Sequence, residues 1–158
     1  MTDTVPEPTA VPVRPAATVM LVRDAEPAGI EVFMLRRTLN AVFGSGMYVF
    51  PGGRVETHDG DDVERAHRLA AIRECFEEAG VLLARDVAGA TVTDGHPALA
   101  ARVGVHDGSV DLLELCAAHG LTPAVDEMVW VAHWITPKGE GARRPQGQRA
   151  PAHRSHGR

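Results

Sequence analysis

FPGG at residues 50–53 and RECFEEAGV at residues 73–81 are the two stretches of this chain that decide its fold. The first predicts the end of a strand entering a tight turn, because glycine accepts backbone geometry and close approaches that other residues do not. The second predicts an amphipathic helix that ends at Gly80, since glycine favours the left-handed conformation that closes helices.

Three glutamates of the second stretch share one face of the predicted helix. Glu74 lies three residues before Glu77 and four before Glu78, and residues at these spacings are neighbours on a helix surface. Three like charges packed together repel, and a bound Mg²⁺ or Mn²⁺ removes that repulsion because hard cations bind carboxylate oxygens. A separate apolar stripe is predicted to dock the helix on a core: Leu69, Ile72, Phe76 and Ala79.

Neighbouring groups extend the predicted metal site. Arg73 can pair with one of the carboxylates and fix its rotamer. A carbonyl oxygen of Gly52 or Gly53 can add a ligand to the same metal. The alternative interpretation is a solvated acidic face with a glycine cap, because runs of charge are usually exposed. The glycine pair upstream favours the metal site.

The two stretches together resemble the Nudix box, whose pattern is G-x5-E-x7-R-E-U-x-E-E-x-G-U, with U an apolar residue. The second half matches from Arg73 to Val81, and the first glycine matches Gly53. The family pattern places the arginine fourteen residues after the glycine, whereas Arg73 lies twenty residues after Gly53, so six residues are inserted around residues 57–64. The first glutamate of the box stays open among four acidic residues: Asp59, at the family's distance from Gly53, and Asp61, Asp62 and Glu64.

A stretched box preceded by FPGG resembles the coenzyme A diphosphatase branch of the Nudix family. The upstream signature of that branch is L-L-T-x-R-[SA]-x3-R-x3-G-x3-F-P-G-G. Aligned from Phe50, its glycine falls on Gly46 and its first arginine on Arg37, while Val42 stands where a second arginine is expected. The resemblance implies four substrate-binding residues: Arg37, Gly46, Phe50 and Gly53. The alternative for Arg37 is an ordinary edge-strand charge.

The resemblance also implies an enzyme, a Nudix-type hydrolase that acts on a phosphorus-containing acid anhydride. Its expected substrate is a nucleoside diphosphate linked to a further group, with coenzyme A or an acyl-coenzyme A as the first choice. Mg²⁺ or Mn²⁺ would be held by the three helix glutamates and by Gly52 or Gly53. Glu77 would act as general base, and Arg73 would orient Glu74 or Glu78. The catalytic candidates are therefore Arg73, Glu74, Glu77 and Glu78.

Two further functions stay open. A diphosphatase for a nucleotide sugar or a dinucleotide is one, because the arginine signature is imperfect. A non-catalytic product is the other, either a truncated Nudix-like fragment or a regulatory module that binds nucleotides.

The resemblance implies an α/β fold, an α/β/α sandwich around a mixed β-sheet, and hydrophobic patterns locate its elements. Predicted strands cover residues 17–23, 30–37, 47–50 and 128–135, and predicted helices end near Ala79 or cover 97–103 and 110–119. We expect a flexible leader at 1–15, a Nudix-like domain at 16–136 and a disordered basic tail at 137–158.

The tail at 137–158 holds six of the sixteen Lys and Arg residues and lacks large apolar side chains. The family's later strands and last helix have no counterpart in it, so the expected domain is incomplete at its C-terminus. The tail is a natural basic segment, a linker end or an out-of-frame reading. A sheet that lacks strands exposes an edge, which a homodimer could cover.

Composition restricts the partners. A net charge of −5 disfavours nucleic acid, and no apolar run reaches the roughly 18 residues of a membrane span. The segment before residue 16 lacks the apolar region of a signal peptide. Cys75 and Cys116 have no metal or redox spacing and are predicted to be buried in a reducing compartment. We therefore expect a cytoplasmic protein with a small-molecule nucleotide substrate.

Overall fold

The computed structural model describes residues 13–39 and 45–135, and Arg14–Trp130 form one compact unit. Its α-helices are α1 (Val63–Ala79), α2 (Arg102–His106) and α3 (Leu112–Ala118). Its strands are β1 (Ala16–Thr18), β2 (Val22–Asp24), β3 (Ile30–Val32), β4 (Leu35–Arg36), β5 (Tyr48–Val49), β6 (Gly52–Arg54), β7 (Ala84–Arg85) and β8 (Thr122–Pro123). Short 3₁₀ helices cover Thr57–Asp59, Pro97–Ala101 and Val125–Glu127.

The described strands form antiparallel pairs, which are β1 with β6, β2 with β3, β4 with β5, and β7 with β8. The strands predicted at 17–23 and 30–37 are each divided in two, because the two halves pair with different partners. The first half of 17–23 pairs with β6 and the second with β3, so the chain changes neighbours between them. Helices and strands in this mixture confirm the predicted α/β class, with antiparallel pairing throughout the described part.

Helix α1 has well-defined ends. The Asp62 carboxylate accepts a hydrogen bond of 2.8 Å from the backbone N–H of Arg65, which satisfies one of the free donors at the helix start. Gly80 follows the last turn with φ of 75°, in the left-handed region, and its N–H donates to the carbonyl of Phe76. The glycine therefore ends the helix where the sequence predicts.

Two apolar clusters cover α1 on two sides. The larger one joins three residues of the predicted stripe to α2 and α3, and its members include Leu69, Ile72, Phe76, Val105, Leu112 and Leu115. Ala79, the fourth residue of the stripe, is half-buried and packs against the smaller cluster. The smaller one joins Ala71 and Cys75 of α1 to Val19, next to β1. Small residues between these faces, such as Ala70, are also buried. Only part of the α1 surface is therefore left for polar contacts.

Several predicted elements are shorter than expected. The strand at 47–50 is reduced to β5, and the helix at 97–103 is a 3₁₀ turn followed by α2. The helix at 110–119 begins only at Leu112, because the Asp111 carboxylate accepts hydrogen bonds from the N–H groups of Leu113 and Glu114 and caps it.

The prediction of a buried strand at 128–135 is wrong. These residues form no strand, and the side chains of Val129 and Trp134 are 84% and 82% exposed. Alternating apolar residues form a strand only beside a neighbour that supplies hydrogen bonds. The described strands pair with one another and none pairs with this segment. The predicted tail at 137–158, and the predicted leader as far as residue 12, lie outside the described residues.

The two cysteines are free thiols in the core, as the sequence predicts. Burial raises the pKa of each thiol to about 11, and a nearby carboxylate adds to the effect, Glu78 for Cys75 and Asp111 for Cys116. Both are therefore protonated near neutral pH and act as small apolar residues. Within residues 13–39 and 45–135, no helix combines the length and apolar character needed to cross a membrane.

Replacing Phe76 tests the packing of α1. Its side chain is fully buried in the larger cluster, so Phe76→Ala is expected to lower the free energy of unfolding by about 3–5 kcal/mol. Val63→Ala, at a position of the same helix that is 72% exposed, is the control and is expected to change it by less than about 0.5 kcal/mol. Urea unfolding followed by circular dichroism measures both. Equal losses would contradict this packing.

Candidate functional site

The sequence predicts that Gly52 and Gly53 belong to a tight turn, but both lie in strand β6, and neither has a positive φ. This strand packs directly against the acidic face of α1. A Cβ atom at Gly53 would overlap the carboxylate of Glu74, and the N–H of Gly52 donates a 3.0 Å hydrogen bond to Oε2 of Glu78. Gly52 is required for another reason, because a Cβ atom there would lie 2.5 Å from the carbonyl oxygen of Ala17 in β1. The two glycines thus allow one strand and two carboxylates to meet at close range.

Arg73 lies at the centre of the site with only 5% of its surface exposed. Its Nη1 donates to Oε1 of Glu74 at 3.0 Å and to Oε1 of Glu77 at 2.8 Å. Its Nη2 donates to the backbone carbonyl of Arg54 at 2.7 Å, at the end of β6. The guanidinium therefore connects the acidic helix to the strand that contains the glycine pair. In the described residues, Arg73 is not bonded to Glu78.

Asp59 completes the partners of Arg73. Its carboxylate accepts hydrogen bonds of 3.0 Å from Nε and 3.2 Å from Nη2 of Arg73, and Asp59 is itself 3% exposed. The same carboxylate accepts a 2.8 Å bond from the N–H of Glu56, which fixes the 3₁₀ turn. Of the four acidic residues that the sequence left open, Asp59 is the one bonded to the arginine of the box. The sequence signal that points to Asp59 is its spacing from Gly53, which is the spacing of the family pattern.

Burial and neighbouring charges have opposite effects on the pKa of Arg73, and both act on the pKa of Glu74. Burial alone lowers the pKa of Arg73, but hydrogen bonds to Asp59 and Glu77 and the nearby negative charges raise it overall, so the guanidinium stays charged. Burial raises the pKa of Glu74, the charge and hydrogen bond of Arg73 offset part of this, and Glu77 and Glu78 raise it further. The three glutamates therefore repel one another, as their spacing predicts.

Helix α2 contacts the end of α1 that bears these glutamates. Nε of Arg102 donates to the backbone carbonyl of Glu77 at 2.9 Å, and Nη2 donates to that of Glu78 at 2.7 Å. Nδ1 of His106 lies 3.5 Å from Oε2 of Glu77. No spacing rule links Arg102 to the box, so the sequence does not predict this contact.

The residues predicted to bind substrate are less closely connected. Gly46 has φ of 74° in a turn, and the backbone N–H of Arg37 donates to the carbonyl of Met47 at 2.9 Å. Phe50 is half-buried. No hydrogen bond or ion pair of the described residues joins Arg37 or Gly46 to the glutamates of α1. Substrate binding by these residues stays a prediction, and Val42 of the same signature lies outside the described residues.

The oxygen donors of the site suit a hard cation, although they do not form a ready cage. In the part of the chain that the structure describes, no three His, Cys, Asp or Glu side chains are grouped so as to hold a metal ion. Among the described residues, Glu74 and Glu77 share the charge of Arg73, whereas the exposed carboxylate of Glu78 accepts a hydrogen bond from the N–H of Gly52. Crowded carboxylates beside glycine backbone are the ligand types that Mg²⁺ and Mn²⁺ prefer.

Comparisons with known proteins agree on one family. The family model of the NUDT19 Nudix domain matches residues 60–149. A probable nudix hydrolase of Schizosaccharomyces pombe, C6G9.05, is 40% identical over 77 residues, which cover 48% of this chain and 25% of that protein. Putative nudix hydrolase 7 of Caenorhabditis elegans is 48% identical over 54 residues, which cover 32% of this chain and 17% of that protein.

A solved structure supports the fold. The crystal structure of a NUDIX hydrolase from Alicyclobacillus acidocaldarius superposes with a TM-score of 0.62 and 28% identity, covering 72% of this chain and 58% of that one. The chain belongs to the Nudix family and has its α/β fold. It spans a quarter or less of the length of the two curated relatives. Nudix hydrolases generally use divalent metals such as Mg²⁺.

A double-mutant cycle tests the contact between Gly53 and Glu74. Gly53→Ala displaces the Glu74 carboxylate from Arg73, whereas in a Glu74→Ala background that carboxylate is absent. We expect Gly53→Ala to be more destabilising in the wild-type background, with a coupling energy of about 0.5–3 kcal/mol from urea unfolding. Equal effects in both backgrounds would contradict the contact.

Removing the charge of Asp59 tests the buried ion pair. Asp59→Asn leaves Arg73 with Glu74 and Glu77, so we expect a loss near the lower end of the range for broken buried pairs, about 3 kcal/mol of unfolding free energy. Asp61→Asn, at an exposed aspartate with no side-chain bond to the described residues, is expected to cost less than about 0.5 kcal/mol. Thermal and urea unfolding compare the two, and similar stabilities would be inconsistent with the pair.

Proposed function

We propose that this chain carries the site of a metal-dependent hydrolase that cleaves the diphosphate bond of a nucleoside diphosphate linked to a further group. The observation that supports this most directly is the close approach of the glycine pair in β6 to α1. Gly53 lies against the carboxylate of Glu74, and Gly52 is hydrogen-bonded to Glu78. A solvated acidic face, the alternative from the sequence, does not require such an approach.

The proposed metal ligands are carboxylates of α1 and a backbone carbonyl of β6. They are Glu74, Glu77, Glu78 and the carbonyl oxygen of Gly52 or Gly53. Bound Mg²⁺ or Mn²⁺ would neutralise the charge of the phosphates and lower the pKa of a bound water molecule. The raised pKa of Glu74, caused by burial and by its neighbouring carboxylates, supports a cation there, because added positive charge relieves that repulsion.

The remaining functions of the site are assigned to two charged residues of α1, Glu77 and Arg73. Glu77 is the proposed general base, and its Oε1 accepts a hydrogen bond from Nη1 of Arg73. Arg73 holds the carboxylates of Glu74 and Glu77 in fixed positions. The sequence predicted that Arg73 orients Glu74 or Glu78, and the contacts support Glu74.

Coenzyme A or an acyl-coenzyme A is the substrate that we propose first. The support is the stretched box and the partial upstream signature that includes Arg37 and Gly46. Hydrolysis of the diphosphate in coenzyme A would yield 3′,5′-ADP and a phosphopantetheine. A nucleotide sugar or a dinucleotide contains the same diphosphate group, so the experiment includes substrates of these kinds.

Product analysis by mass spectrometry tests the proposal. The purified chain is incubated with Mg²⁺ and with coenzyme A, acetyl-coenzyme A, ADP-ribose or a dinucleotide. Glu78→Gln removes the charge of a proposed metal ligand. Loss of an outer partner of a metal ligand reduces activity by about 10–100-fold, so this variant should lose more turnover than that. Glu114→Gln, which removes an exposed carboxylate on α3, should retain full turnover. Circular dichroism establishes that both variants are folded.

The outcomes separate the candidates. Release of 3′,5′-ADP that Glu78→Gln abolishes supports both the reaction and coenzyme A. Products from ADP-ribose or the dinucleotide alone would overturn the coenzyme A assignment and keep the reaction. No product from any substrate, with folded protein, would overturn the hydrolase proposal for this chain and favour a regulatory or fragmentary function.

A further inference from the structure

The last turn of α1 ends against a side chain from outside the Nudix box. The Nε and Nη2 atoms of Arg102, the first residue of α2, donate to the backbone carbonyls of Glu77 and Glu78 at 2.9 and 2.7 Å. These carbonyls belong to two of the three glutamates that we propose as metal ligands. One guanidinium therefore holds the backbone of both residues at once.

The final carbonyls of an α-helix have no partner inside the helix. Gly80 satisfies the carbonyl of Phe76 by donating its N–H, which leaves those of the next two residues for Arg102. A guanidinium at this end also offsets the partial negative charge of the helix terminus. Two parallel N–H donors fix direction as well as distance, which a single ammonium group cannot do.

The rest of α2 fixes the position from which Arg102 acts. Val105 is buried in the larger apolar cluster with Phe76 of α1, so α2 is held against α1 by packing. A Cβ atom at Gly80 would lie 3.2 Å from Nη1 of Arg102, closer than most side chains tolerate. The glycine that ends α1 thus also leaves room for the arginine.

We propose that Arg102 is a positioning residue, which sets the backbone of Glu77 and Glu78 and thereby the affinity of their carboxylates for a divalent cation. This inference rests on the metal site proposed above. A residue that only stabilises the fold would change the free energy of unfolding and leave metal affinity unchanged in the folded protein. Metal affinity, measured on folded protein, therefore distinguishes the two functions.

Mn²⁺ binding, followed by electron paramagnetic resonance, is the primary measurement, and no substrate is needed for it. Arg102→Met removes both donors and should weaken Mn²⁺ binding by about 10–100-fold, the usual effect of losing an outer partner of a ligand. Arg102→Lys keeps the charge but replaces the forked guanidinium with a single ammonium group, so its Mn²⁺ affinity should fall between those of the wild type and Arg102→Met. Arg23→Met, which breaks an exposed pair with Glu31, is the matched control and should bind Mn²⁺ like the wild type.

Each outcome has one meaning. Graded affinities in the order wild type, lysine variant, methionine variant support positioning by Arg102. Unchanged Mn²⁺ affinity in folded Arg102→Met, beside a wild type that binds Mn²⁺, overturns this inference and leaves the proposed function standing. A wild type that binds no Mn²⁺ overturns the metal site and, with it, the positioning function. If Arg102→Met does not fold, Arg102→Lys decides by the same comparison with Arg23→Met.

Discussion

The buried guanidinium of Arg73 is the interaction on which the geometry of the site depends. It joins three parts of the chain: the 3₁₀ turn through Asp59, the end of β6 through the carbonyl of Arg54, and α1 through Glu74 and Glu77. A buried charge is tolerated only when its donors are satisfied, because desolvation of an unpaired ion costs several kcal/mol. Any rearrangement of one part therefore disturbs the partners of the others.

The position of α1 follows from the close packing around it. Apolar clusters cover the helix on two sides, and β6 packs against its acidic face. Gly52 and Gly53 are adjacent in sequence but are needed against different neighbours, the backbone of β1 and the carboxylate of Glu74. The glycine pair is thus a packing requirement on both sides of β6, and the structure does not use it to form a turn.

Local patterns predicted the features whose causes are local. The end of α1 at Gly80 and its buried stripe depend on residues a few positions apart, so periodicity and capping sufficed. The divided strands and the missing strand at 128–135 depend on which distant segment supplies hydrogen bonds, which a single segment does not contain. Arg102 reaches Glu77 and Glu78 only through the packing of α2, so no spacing rule could find it. The sequence could predict Asp59 as a candidate for the first acidic residue of the box, because it keeps the family's distance from Gly53.

The bond between Asp59 and Arg73 also connects the two parts of the lengthened box. Asp59 keeps the family's distance from Gly53, and Arg73 keeps its spacing to the glutamates, so the extra residues lie between these two side chains. Only residues 60–62 of this connection lie outside α1, because the helix already begins at Val63. The connection is therefore mostly rigid helix. A change of its length within the helix must come in whole turns of about 3.6 residues if Arg73 is to keep facing Asp59.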